Sequence, residues 1–211
     1  MIKLQIDLLR HGETTLSHTL RGHLDDELTE QGWLQMQSTI QQYITTPVDW
    51  DVIISSPLRR CRRFAEHLAD QLELPMRVND HIKEMYFGDW EGISTQAIYE
   101  AEPKRLANFW QFPTQYHAPN GESLFQFKQR VIDGFDEIYV QMQRHNWNKA
   151  LIVTHGGVIK LLTCLARQQN LDDLLTMPAE LGKLYALNLT QVDNQIHFSE
   201  NMGFRIECET D

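Results

Sequence analysis

Polar and apolar positions follow two rhythms along this chain. Short unbroken apolar runs bounded by turn formers predict buried strands, while longer stretches with apolar residues every third or fourth position predict helices. Residues 2–9 (IKLQIDLL) read as a first strand, 29–46 as a helix, and 51–55 (DVIIS) as a second strand. A helix from Pro57 to about Leu72 follows, with proline suited to the first turn and Ser55 or Ser56 available as its cap. A short extended piece at 76–79 precedes an irregular loop at 84–92, and residues 94–120 divide into helical pieces at Pro103, Pro113 and Pro119. The pattern then predicts a long helix from Ser123 to about His145, a strand at 149–154, a helix at 157–168, and strands at 183–190 and 195–199. Strands alternating with helices favour an α/β fold, a three-layer α/β/α sandwich with a mostly parallel sheet and helices on both faces. Asp193-Asn194 suits a turn between the last two strands, which gives an antiparallel edge. No repeat, low-complexity tract or linker divides residues 1–211, so one domain is expected, with 94–120 as a lid or insertion.

Composition narrows the class. The hydrophobic fraction of 42% is ordinary for a globular protein, and the net charge of −10 argues against affinity for nucleic acid or an anionic membrane surface. No apolar run is long enough to span a bilayer. Cys61, Cys164 and Cys208 are few and widely spaced, which fits a reducing cytoplasm. In so acidic a chain, clustered arginines near strand ends point to a local anion pocket.

The candidate chemistry lies at two such ends. Arg10-His11-Gly12 closes the first strand, and His155-Gly156-Gly157 closes the strand at 149–154, 144 residues later. Ligands in open α/β sheets bind beyond the carboxyl ends of strands. Imidazole can form covalent intermediates, glycine admits backbone close to a phosphate, and the amides opening a helix favour an anion. Between these two segments lies Ser55-Ser56-Pro57-Leu58-Arg59-Arg60-Cys61-Arg62-Arg63, whose planar guanidinium forks suit phosphate oxygens. Arg62 and Arg63 read better as a solvated helix face. An acid is needed for the leaving oxygen, and Glu84 in Glu84-Met85-Tyr86-Phe87-Gly88 is the candidate, with Glu91 and Glu13 as rivals. Neither a metal-binding spacing nor a cofactor motif occurs.

Taken in order, RHGET, S-S-P-L-x-R-C, E-x-x-F-G-x-W-E-G and T-H-G-G-V resemble the histidine phosphatase superfamily, in the branch that includes cofactor-dependent phosphoglycerate mutase. The match spans nearly the whole chain and takes in Gly22, Leu28-Thr29 and Gly32. The stretch at 84–92 and Asn120-Gly121-Glu122 are most similar to α-ribazole phosphatases. The resemblance implies that His11 becomes a phosphohistidine, that Arg10 and Arg60 grip the phosphate, and that Glu84 is general acid and then base. It further implies that His155 and the Gly156 amide bind the moving phosphoryl group, leaving Arg59 peripheral. Ser17 stands where the family often carries asparagine, and Asp26-Glu27-Leu28-Thr29 lacks the family's usual proline.

The expected ligand is a small-molecule phosphate ester, handled without metal or cofactor by a monomer or homodimer. Phe109, Trp110, Phe112, Tyr116 and His117 make the insertion rich in rings. Trp110 and Tyr116 are candidates to stack on a flat base, although packing onto the core is an equal use for such rings. Three alternatives stay open: a sugar-phosphate phosphatase, a phosphoglycerate mutase (against which stands the absence of an extra basic segment for a second acidic group), and a catalytically silent phospho-ligand binding module.

Overall fold

The computed structural model describes residues 2–44 and 49–201. The last two residues of the helix expected at 29–46, the final residues of the chain and Cys208 lie outside them. Six strands form one sheet: β1 (Lys3–Arg10), β2 (Val52–Ser55), β3 (Met76–Val78), β4 (Lys149–Thr154), β5 (Leu184–Val192) and β6 (Gln195–Glu200). Their spatial order is β3-β2-β4-β1-β5-β6. The first four run parallel, β5 is antiparallel to β1, and β6 returns antiparallel to β5. Asp193 and Asn194 make the tight turn, both at positive φ (48° and 59°), as a two-residue hairpin requires.

The helices are α1 (Glu30–Tyr43), α2 (Arg59–Leu72), α3 (Thr95–Ala101), α4 (Pro103–Gln111), α5 (Leu124–Arg144) and α6 (Gly156–Ala166). Buried strand residues point alternately to two cores, because side chains switch faces at each step along a strand. Ile6, Leu8, Ile54 and Ile152 pack with Phe127, Val131 and Phe135 of α5 and with Val158 and Leu162 of α6. Leu9, Ile53, Leu151 and Val153 pack instead with Met36 and Ile40 of α1 and Phe64 and Leu68 of α2. The sheet is therefore the middle of three layers. A third, smaller cluster (Trp90, Ile98, Leu106, Phe109 and Ala118) gives α3 and α4 a core of their own.

Helix starts follow their capping side chains. Thr29 accepts from the Gly32 amide at α1, and Ser123 with Gln126 forms a reciprocal capping box at α5. The start of α2 is later than expected: the helix opens at Arg59 without a side-chain cap from Leu58, and Ser56 Oγ accepts from the Leu58 amide just ahead of it at 3.4 Å. Ser55 Oγ donates to the Ser56 carbonyl, and Ser56 Oγ is engaged by His155. The Arg59 amide is instead received by Asp25 Oδ1 at 2.6 Å, a cap supplied from a distant loop. Short 3-10 turns at Asp80–Ile82, Gly88–Trp90 and Leu171–Thr176 have no apolar period and leave no sequence signature.

Candidate active site

Parallel pairing of β1 with β4 sets Arg10 opposite Thr154. The next residue on each strand is a histidine, so two imidazoles far apart in sequence have ring centroids 5.3 Å apart. His11 Nδ1 lies 2.8 Å from the Gly12 carbonyl. A carbonyl only accepts, so Nδ1 carries the hydrogen and neutral His11 keeps its lone pair on Nε2. Burial, then the charges of Arg60 and Arg10, hold the His11 pKa well below the usual 6.5. The ring is therefore neutral at pH 7.

His11 lines a cavity of about 310 Å³ together with Arg10, Ser17, Arg21, Arg60 and Glu84. Glu84 Oε2 accepts from the Gly157 amide at 3.0 Å, at the opening turn of α6. The rival acids are engaged elsewhere. Glu91 accepts from the His23, Leu24 and Phe87 amides, and Glu13 accepts from Thr29 Oγ1. Glycine lets both key groups sit close: a Cβ at 156 would come within 3.0 Å of the Arg10 guanidinium, and one at 157 within 2.2 Å of Glu84 Oε1, so either side chain would have to shift. Ser17 Oγ accepts from the Thr14 amide, which leaves its hydroxyl hydrogen free to donate.

Two buried guanidinium donors on this cavity lack partners, Arg10 Nε and Arg21 Nη1. Arg10 spends another donor on the Ala179 carbonyl, and Arg21 Nε stands 3.8 Å from Asp26. Burial is the main cause lowering the pKa of both arginines. Buried donors are almost always satisfied, so an unpartnered donor on each of two cavity-lining arginines points to an acceptor for them. Arg21 belongs to no motif recognised in the sequence; its only cue was adjacency to Gly22.

Arg60, which lines the cavity, and His155 are both engaged within the protein. Arg60 is fully buried and spends all five N–H groups within the protein. Nε donates to His155 Nδ1 (3.3 Å), Nη1 to Leu24 O and Asp26 Oδ1, and Nη2 to the carbonyls of Arg21 and Gly22. His155, also fully buried, accepts from Arg60 on Nδ1 and so donates from Nε2 to Ser56 Oγ (2.7 Å). Burial, then Arg60, holds its pKa well below 6.5. These two groups form a satisfied platform beside His11. Gly22 serves the same platform through its carbonyl, and a side chain there would strike the Met85 carbonyl at 2.1 Å. Arg59, Arg62 and Arg63 are exposed and pair with Asp25, Glu66 and Glu27.

Beyond the cationic floor the walls are apolar. Phe87, Phe109, Trp110 and Pro113 line it together with Leu174 and Leu175. Trp110 is half-exposed at the rim, whereas Tyr116 is exposed and does not line the cavity. Thr114 donates twice to Asp172 Oδ1, from its amide and its hydroxyl. Lys160, one turn into α6, also lines the cavity and gives one hydrogen to Leu175 O at 2.7 Å. Arg21 and Lys160 thus supply basic groups that no contiguous segment announced. A second cavity of about 300 Å³ lies between α1 and α2, lined by Ile40, Phe64 and Leu68, far from any of this chemistry.

The sequence profile of the histidine phosphatase superfamily (branch 1) matches residues 6–201. The chain belongs to that superfamily. That membership, with relatives named as phosphatases, supports a hydrolase. Adenosylcobalamin/alpha-ribazole phosphatase of Salmonella typhimurium is 31% identical over 185 residues, 83% of this chain and 82% of the relative. Uncharacterized phosphatase PhoE of Bacillus subtilis is 34% identical over 157 residues, 74% and 73% of the two chains. The crystal structure of the alpha-ribazole phosphatase from Shigella flexneri superposes with a TM-score of 0.72 over 93% of this chain and 95% of that one, at 22% identity. That last likeness is one of fold. Among the described residues no helix is long and apolar enough to cross a membrane.

Proposed function

We propose that the chain is a phosphomonoesterase working through a phosphohistidine on His11. The observation that carries this reading is one cavity lined by a neutral imidazole with its lone pair on Nε2 and by two arginines that each keep an unpartnered donor. His11 Nε2 forms a bond to phosphorus as the ester P–O bond breaks, and Glu84 gives its proton to the departing oxygen. Water then attacks the phosphoryl group, Glu84 takes the water proton, and the P–N bond breaks to return neutral His11. Arg10, Arg21, Ser17 and the Gly156 amide hold the equatorial oxygens. Arg60 acts through its charge, and neutral His155 by packing edge-on against His11. Catalysis of this kind is mainly positioning and electrostatic stabilisation.

The leaving group we favour is a base-bearing ribose, in α-ribazole 5′-phosphate or adenosylcobalamin 5′-phosphate, in cobalamin nucleotide-loop assembly. Supporting this are the Salmonella relative and the ring wall with Trp110 at its rim. A second reading rests on Lys160. Asp26 pairs with Arg60, and the charges of Glu180 and Glu84 reach Lys160, but among the described residues no carboxylate pairs with it directly, so a close counter-charge is open to a ligand. An alcohol bearing a carboxylate would supply it. Turnover of α-ribazole 5′-phosphate, 3-phosphoglycerate and glycerol 3-phosphate separates the readings. The first predicts the highest kcat/KM for the ribazole ester, with Trp110→Ala raising its KM more than that of p-nitrophenyl phosphate. The second predicts a preference for phosphoglycerate over glycerol phosphate that Lys160→Met removes. No turnover of any of these esters would contradict the enzyme assignment itself.

A further inference from the structure

The loop that carries Glu84 has little regular structure of its own: residues 83–87 lie between two 3-10 turns with no ladder to fix them. Arg130, on α5, supplies what the loop lacks. Its Nη1 donates to the carbonyls of His81 (2.6 Å) and Lys83 (3.1 Å), and its Nη2 to that of Glu84 itself (3.1 Å). The remaining edge of the guanidinium meets Glu122 in a two-point ion pair, Nε to Oε1 at 2.9 Å and Nη2 to Oε2 at 2.7 Å. Glu122 grips the other side of Glu84, since its carboxylate and amide bond the Tyr86 amide and carbonyl. The two side chains are only 19% and 13% exposed. Arg130 also lies over the ring of Phe127, 5.2 Å from its centroid, and that ring lines the cavity. His23 adds one more bond, from Nε2 to the Glu84 carbonyl at 3.1 Å.

Three carbonyls before and at Glu84, and both backbone groups of Tyr86, therefore hang on one ion pair that does not itself line the cavity. We infer that Arg130 and Glu122 are positioning residues that set the Glu84 carboxyl against the leaving oxygen, and so govern proton transfer rather than phosphate binding. This rests on the reading of Glu84 as the acid. The alternative role is general stability of the fold, and the two differ in what they do to different leaving groups. A basic alkoxide cannot depart without a proton, whereas p-nitrophenolate can. A bidentate fork matters here, because lysine can keep some carbonyl bonds but cannot reproduce the two-point pair.

The test is kcat/KM of the full chain for a series of phosphate monoesters, from p-nitrophenyl phosphate through less acidic phenols to an alkyl phosphate. Losing Arg130 as Arg130→Met should lower the alkyl rate about 100-fold, the cost of a carboxyl misplaced by roughly 1 Å. The p-nitrophenyl rate should fall by less than about 5-fold, because general-acid help is small for that leaving group. Arg130→Lys should recover part of the alkyl loss, and Glu122→Gln, which keeps the shape of the pair, provides the readout should Arg130→Met not fold. Glu84→Gln is the control and should show the same steep dependence on leaving group. A loss of equal size across the series, or none, in both Arg130→Met and Glu122→Gln overturns the inference. A flat series for Glu84→Gln instead removes Glu84 as the acid, and the proposed mechanism fails with it.

Discussion

Replacing Arg21 with methionine separates catalysis from stability in a way the geometry makes quantitative. The side chain is 9% exposed, its Nη1 has no partner, and its Nε is 3.8 Å from Asp26. An unsatisfied buried donor costs about 1–3 kcal/mol, which the distant carboxylate offsets only in part. Methionine fills similar space without that penalty, and Asp26 keeps its 3.0 Å pair with Arg60. Folding stability should therefore change by no more than about 1 kcal/mol, or roughly 2–4 °C in Tm for a chain of this size. A hydrogen bond to a charged acceptor is worth about 1.5–3 kcal/mol, so kcat/KM should fall about 10- to 150-fold. The assay is p-nitrophenyl phosphate turnover alongside thermal melts with and without inorganic phosphate. Phosphate should raise Tm in the wild type and raise it less in Arg21→Met, because ligand protection scales with affinity. Turnover within 2-fold of wild type and undiminished phosphate protection would refute the claim that the orphaned donors await an anion.

Two further outcomes follow from the same geometry. His11 and His155 have folded pKa values held well below 6.5, chiefly by burial, so the unfolded chain binds protons that the folded one refuses. Their contribution is complete above pH 6.5 and is lost as pH falls below it, with a limiting slope of about 2.7 kcal/mol per pH unit for the pair. Urea melts between pH 7 and pH 5 measure this; a flat profile, or no change of slope in His155→Gln, would contradict it. Gly157→Ala places a Cβ 2.2 Å from Glu84 Oε1, a clash that a movement of roughly 1 Å by the carboxylate relieves. Its Tm should stay near that of the wild type while alkyl phosphatase activity drops about 100-fold. Full activity in this variant would mean that Glu84 need not sit where it does.

How much of this was legible in the sequence depends on whether a feature is local. The strand at 3–10 and the helices α1, α2, α5 and α6 follow from period and caps, and their ends differ from expectation by a few residues. The hairpin was legible because Asp193-Asn194 is a turn signal in itself. His11, Glu84 and Gly156 stand on the cavity or its rim because each sits in a short motif at a strand end, in the loop at 84–92 or at a helix start. What remained hidden was made by pairing across distance. Asp25 caps α2 from another loop, Thr114 bonds to the distant Asp172, and Lys160 reaches the cavity because α6 packs beside β1. The surroundings of Arg60 are hidden for the same reason: a sequence shows a donor-rich side chain but not the carbonyls of Arg21, Gly22 and Leu24 that its donors meet. Tyr116 was drawn in by composition alone, and its ring turns out to lie off the cavity.

The central claim is a covalent bond from phosphorus to one imidazole, and rapid quenching with a labelled phosphate monoester tests it most directly. The account predicts a phosphoprotein stable in base and labile in acid, with the label in the peptide containing His11 and absent from His11→Ala. A label that survives acid, or one that maps to a serine or a carboxylate, would contradict it. So would undiminished turnover by His11→Ala.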